Sequence, residues 1–254
     1  MNRYWSHIHH FVKAKKRHGI HSPFVYELSD ACLGLQIESK DQKIIERQFN
    51  KLNSNKNIIQ VSDFGAGSKK MGSSRRINAI FQNSRSNEKY AKLLYQLSKF
   101  YKPQRILELG TSLAWGTLHL HLGYPDAKIE TIEGCPETYK ASKNLFPIQT
   151  ENVHFHNSKF EDFFSQLETE KFDFIFIDGN HRGSALMNYI DKLTPHAHND
   201  TLWILDDIRW SNDMWDAWQN IITLPQFHLT IDFGRMALVA FRQQQEKEHF
   251  LLKP

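Results

Sequence analysis

From residue 105 onward, apolar positions come in two alternating patterns. Short strand-like stretches cover 105–109, 128–132, 153–157, 172–177 and 201–205, mostly apolar in the first and last two and mixed in 128–132 and 153–157. Between them lie 113–122, 136–146, 160–167, 184–193 and 212–222, where apolar residues recur at helical spacing. Runs of four to six residues read as buried strands, and the longer periodic stretches as helices. Strict strand–helix alternation predicts a mostly parallel sheet with helices on both faces. The last two apolar runs, 227–232 and 235–241, flank Phe233-Gly234 and predict an antiparallel hairpin at the C-terminal end.

Upstream, residues 88–101 place Tyr90, Ala91, Leu93, Leu94, Leu97 and Phe100 on one helical stripe, and Pro103 stops that helix before the first strand. Ser22-Pro23 opens a helix over 24–33, and 41–50 reads as a mostly polar one. In 1–19, Tyr4, Trp5, Ile8, Phe11 and Val12 again follow helical spacing. The expected division is a basic helical N-terminal extension with a glycine/lysine loop over 1–87, then an α/β domain over 88–254.

Charge sharpens that division. Residues 1–105 carry 20 Lys and Arg against 7 Asp and Glu, and the rest of the chain 12 against 21. A basic front half before an acidic fold suggests an anionic partner or docking of the front half onto the fold. The first helix either packs on the domain, makes a homodimer contact, or lays its basic residues (Lys13, Lys15, Lys16, Arg17) on RNA phosphates or a membrane surface. Cys32 and Cys135 lie far apart without metal-ligand spacing, which points to a reducing compartment. No stretch approaches transmembrane length and no secretory leader pattern is read, so a cytoplasmic location is expected.

The chemistry concentrates at the predicted C-terminal ends of the strands. The run Arg105-Ile106-Leu107-Glu108-Leu109-Gly110-Thr111-Ser112 is a strand ending in an acid and then a glycine turn. The next strand ends at Glu133-Gly134, 25 residues after Glu108, a spacing at which an acid reaches ribose hydroxyls. The fourth strand leads into Asp178-Gly179-Asn180-His181 and the fifth into Asp206-Asp207. Neighbouring strand ends would bring three carboxylates together, which is costly without a cation, and oxygen ligands suit Mg²⁺ or Ca²⁺. His181 is poised as a general base near neutral pH, or it orients a substrate or supports the fold. Trp210, Trp215 and Trp218 either wall an aromatic or lipid-like substrate pocket or pack on the sheet. Asp63-Phe64-Gly65-Ala66-Gly67 reads as a second glycine loop, but 69–83 offers no buried apolar helix after it. It is either a glycine-and-lysine flap over the site or an exposed linker.

These motifs resemble the class I S-adenosylmethionine-dependent methyltransferases over about 88–242, and within them the catechol O-methyltransferase-like enzymes and their bacterial relatives. Glu-Leu-Gly at 108–110, Ile-Glu-Gly at 132–134 and Phe-Ile-Asp-Gly-Asn-His at 176–181 carry the resemblance. The run Arg17-His18-Gly19-Ile20-His21-Ser22-Pro23-Phe24 is similar to the leader of a bacterial branch. One position departs: relatives place a glycine four residues after Gly110, where this chain has Ala114.

The resemblance implies that Glu108, Gly110, Thr111 and Ser112 border the methionine part of the cofactor. It implies that Glu133 and Gly134 hold the ribose, and that Ser158 and Lys159 lie near the adenine. Asp178 is expected both beside the cofactor and in catalysis with His181, which stands where the catechol enzymes place a lysine. Those enzymes bind a divalent ion through two Asp and one Asn; the matching positions here are Asp178, Asp206 and Asp207. The expected function is O-methylation of a small molecule. An RNA methyltransferase using the basic N-terminal region, or a cofactor-binding protein without turnover, are the alternatives. The chain has no Asn-Pro-Pro-Tyr-like motif for base N-methylation and no Gly-x-Gly-x-x-Gly for a dehydrogenase.

Overall fold

The computed structural model describes residues 3–14, 20–62 and 73–254, apart from the side chain of Tyr4. The front half gives α1 (Arg3–Lys13), α2 (Pro23–Cys32), α3 (Ser39–Ser54), β1 (Ile58–Val61), β2 (Ser73–Arg76), α4 (Ile77–Ser84) and α5 (Glu88–Tyr101). The alternating half gives β3 (Arg105–Leu109), α6 (Trp115–Gly123), β4 (Lys128–Glu133), α7 (Pro136–Leu145), β5 (Val153–Asn157), α8 (Phe160–Phe164), β6 (Phe172–Ile177), α9 (Gly183–Leu193), β7 (Ala197–Leu205) and α10 (Asn212–Thr223). Three short strands close the chain: β8 (Leu229–Asp232), β9 (Ala237–Ala240) and β10 (Glu248–Leu251).

The main sheet has eight strands in the order β10-β8-β9-β7-β6-β3-β4-β5. Among the described residues only β9 runs against the others, paired antiparallel with both β7 and β8. The order reverses between β3 and β6, which are parallel neighbours, and ligands bind outside the carboxyl ends of the strands at such a switch point.

Burial explains the unbroken apolar runs. Along β6, Ile175 and Ile177 pack with α9 and α10, while Phe174 and Phe176 pack with α2 and α5 on the other face. A strand covered on both faces has no polar alternation to show. Each fully buried Phe contributes roughly 1.5–3 kcal/mol. A third cluster joins Ile45, Leu52, Ile77 and Phe81 of α3 and α4 to Leu113, Trp115 and Leu118 around α6.

Four features differ from the sequence-based reading. β1 and β2 form an antiparallel pair, Ile58 opposite Arg76 and Val61 opposite Ser73. α4 occupies part of the 69–83 stretch and buries Ile77 and Phe81, so a partly apolar helix does exist there. β10 adds a parallel strand beside β8 that its charged sequence concealed. Most consequential is α1. Its polar Ser6 and His10 face the protein, while Trp5, Ile8, Phe11 and Val12 are 66%, 53%, 75% and 68% exposed. The helix does pack on the domain, but through its polar side, and the apolar stripe is turned outward. The glycine-and-lysine stretch 63–72 lies outside the described residues.

Candidate active site

The cofactor-side expectation centres on the turn after β3. Gly110 has φ +106°, and a Cβ there would fall 2.2 Å from the Asp178 carbonyl oxygen, so only glycine fits between β3 and β6. Its amide and that of Thr111 donate to the Ile132 carbonyl, at 3.0 and 3.1 Å, which folds the turn back over β4. Ala114 takes φ 59°, ψ 32° just before α6. This is the left-handed conformation that glycine accommodates freely, here adopted by alanine at a cost of about 1 kcal/mol.

The two strand-end acids occupy different settings. Glu133, at the end of β4, accepts the Ser112 amide on Oε2 and the Cys135 amide on Oε1, both at 2.9 Å. Backbone amides from both loops thus orient its carboxylate at the crevice edge. Glu108 is 1% exposed, and its Oε2 accepts the hydroxyls of Thr117 and Thr131 at 2.5 and 2.6 Å. Thr111 extends that chain through a 2.6 Å contact with Thr131. Burial pushes the Glu108 carboxyl up to about 7. Gly116 makes room for it, since a Cβ there would lie 2.6 Å from Glu108 Oε1. Glu108 therefore underpins the turn from below. Beside the crevice, Ser158 donates its hydroxyl to the Lys159 carbonyl, and its amide reaches the Glu133 carbonyl at 3.2 Å. The Gly134 carbonyl accepts from Asn157 at 3.3 Å.

The acid cluster forms as expected, with a different countercharge. Asp178 follows β6, and Asp206 and Asp207 follow β7. Arg235, at the tip of the β8–β9 hairpin, clasps Asp206 with Nε and a terminal nitrogen at 3.0 and 2.7 Å. The same Nε lies 2.8 Å from Asp207 Oδ1. Tyr90 of α5 props the hairpin tip: its hydroxyl donates to the Phe233 carbonyl at 3.0 Å and accepts the Arg235 amide at 2.8 Å. Burial and the neighbouring Asp206 raise Asp178 well above the carboxylate range, and the same two causes push Asp207 up to about 7.

These residues do not fit the divalent ion that the family resemblance implied. Two of the three carboxylates that would ligate it, Asp206 and Asp207, are already clasped by the Arg235 guanidinium, and among the described residues no group of three or more His, Cys, Asp and Glu is arranged to hold a metal.

His181 stands on the rim, its Nε2 3.8 Å from Asp207 Oδ2 and its ring centroid 6.0 Å from that of Trp210. Burial holds its imidazole below the usual value, which keeps it neutral and able to accept a proton at neutral pH. The tryptophans divide. Trp215 and Trp218 are core residues, 4% and 0% exposed, and do not wall a pocket, whereas Trp210 is 57% exposed beside His181. Arg235 and Tyr90 were missed by sequence reasoning. The available signal was a cation at a hairpin tip whose strand β9 pairs with β7, next to two aspartates.

This geometry can be set beside known proteins. A family model described as a methyltransferase domain matches residues 107–208, from β3 past the end of β7. Residues 107–208 form a class I methyltransferase domain. No curated protein matches the chain. Among solved structures, the domain and its flanks are similar to the methyltransferase PaMTH1 of Podospora anserina, bound to S-adenosylhomocysteine (SAH), at 17% identity and TM-score 0.55, over 82% of this chain and 97% of that one. The O-methyltransferase of Bacillus cereus in complex with SAH gives 15% identity and TM-score 0.55, over 84% and 94%. The O-methyltransferase TomG of Streptomyces achromogenes, in complex with S-adenosylmethionine (SAM) and involved in tomaymycin synthesis, gives 13% and 0.55, over 85% and 96%. At these identities the likeness concerns the fold of the methyltransferase. Among the described residues no helix is long and apolar enough to cross a membrane.

Proposed function

We propose that this methyltransferase uses SAM to methylate an oxygen of a small-molecule acceptor, with His181 as the general base. The observation that carries the cofactor reading is Glu133, a carboxylate at the end of β4 fixed by the amides of Ser112 and Cys135. A carboxylate only accepts, which suits the two neighbouring hydroxyls of a ribose. Gly110, Thr111, Ser112 and Gly134 would supply backbone around the cofactor, and Ser158 and Lys159 would border its adenine. When bound, the cofactor supplies a methyl group on a sulfonium, activated toward an oxygen nucleophile. That bound cofactors are named for PaMTH1 and for the B. cereus and TomG enzymes supports the same choice.

The chain's own contribution to the reaction is positioning and proton transfer. His181, neutral through burial, takes the proton of the acceptor hydroxyl, and the charge of nearby Asp206 favours the imidazolium that forms. Arg235 keeps Asp206 and Asp207 in place while the charge shifts. Trp210 offers an apolar surface next to the base.

The direct test is transfer of a labelled methyl group from SAM to a panel of small phenols and hydroxy acids, with total RNA in parallel. Label in a small hydroxylated acceptor, insensitive to chelators, is the expected result. Label in RNA alone would overturn the acceptor class, and a chelator-sensitive reaction would overturn the role given to Arg235.

A further inference from the structure

We propose that α1 is an interfacial anchor that seats the protein on an anionic lipid surface. Trp5, Ile8, Phe11 and Val12 form an i, i+3, i+6, i+7 stripe along one side of the helix, and all four point to solvent. Among the described residues, the contacts that hold α1 to the protein are polar. Arg209 Nε donates to Ser6 Oγ at 3.0 Å, His10 Nε2 lies 3.0 Å from the Asp232 carbonyl, and Arg3 donates to the Trp210 carbonyl. Arg209 is itself locked by two bonds to Asp232, at 2.6 and 2.8 Å, in a buried ion pair. The helix is thus docked with its polar side inward, which keeps the apolar side outward in the folded state.

Charge complementarity names the occupant. The first 26 residues contain no Asp or Glu and five Lys or Arg: Arg3, Lys13, Lys15, Lys16 and Arg17. Lys13 is exposed at the end of the stripe, and Lys253 Nζ sits 5.1 Å from the centre of the Phe11 ring. Trp and Phe beside aliphatic residues, rimmed by lysines, is the composition of helices that lie in the headgroup region of acidic bilayers. A second copy of the chain fits less well. The patch is about 11 Å long and one helix wide, small against the roughly 800 Å² per partner of a stable interface, and self-pairing would bring two acid-free segments together. RNA would leave Ile8 and Val12 without a role.

The test is co-sedimentation of the full chain with vesicles, either of phosphatidylcholine alone or of equal parts phosphatidylcholine and phosphatidylglycerol. Wild type is expected to sediment with the anionic vesicles, at least tenfold more than with neutral ones. A Trp5→Ala, Phe11→Ala double variant is expected to lose at least tenfold of that binding with an unchanged melting temperature, because both side chains are exposed. Equal binding by the variant, or no binding to anionic vesicles, overturns the proposal. So does a dimer that the same variant dissociates, or retention by RNA without vesicle binding.

Discussion

The crevice has two halves built by different means. On the β3–β4 side the contacts are made by backbone: a left-handed turn at Gly110, paired amides on the Ile132 carbonyl, and two more amides on Glu133. On the β6–β7 side they are made by charged side chains: three aspartates, one arginine from a distant hairpin, and a histidine at the rim. Backbone contacts fix a shape that one ligand can use repeatedly. A buried charge cluster fixes protonation states, and it depends on its countercharge being present. The first suits a constant cofactor, the second an acceptor and its proton.

The largest effect expected from this contrast follows removal of the countercharge. Arg235→Ala would leave Asp206 buried without its cation, and is expected to cost about 3 kcal/mol by chemical denaturation; the guanidinium is 28% exposed, which places the cost at the low end for a broken buried pair. If the variant is as stable as wild type, the cluster does not rely on Arg235. Next in size is His181→Ala, expected to lower turnover at least a hundredfold, about 2.7 kcal/mol in the barrier. SAM affinity should be unchanged, since the base lies on the other half. A matching loss of cofactor affinity would erase the division between the halves. The smallest change lies on the backbone side. Ala114→Gly restores the residue suited to φ 59° and should stabilise the fold by up to about 1 kcal/mol, read as a higher melting temperature. A lower melting temperature would mean that the alanine methyl packs better than its backbone strain costs.

The same contrast governs what could be read in the sequence. The parallel sheet, the hairpin and the strand-end acids were legible because they depend on local periodicity and on residues close in sequence. Glu133 was legible for the same reason: its amide partners lie on the two loops it joins. Arg235 was not. It meets Asp206 only because β9 pairs with β7, and a lone arginine at a hairpin tip carries no local pattern. The expectation of a metal came from this gap, since three acids without a visible cation call for one. Glu108 and Glu133 looked alike in sequence, and only packing separates the threonine-bound, buried acid from the amide-bound one at the edge. α1 shows the limit of periodicity: its apolar stripe was read correctly, but which side faces the protein was set by Arg209 and Asp232, two residues more than 200 positions away.

The measurement that bears most directly on the account is calorimetric titration with SAM of wild type and Glu133→Ala, with melting temperatures recorded for both. Binding in the micromolar range by wild type, lost in a variant that remains folded, is the predicted result. No binding by wild type, or equal binding by the two, would contradict the assignment of the β3–β4 half to the cofactor.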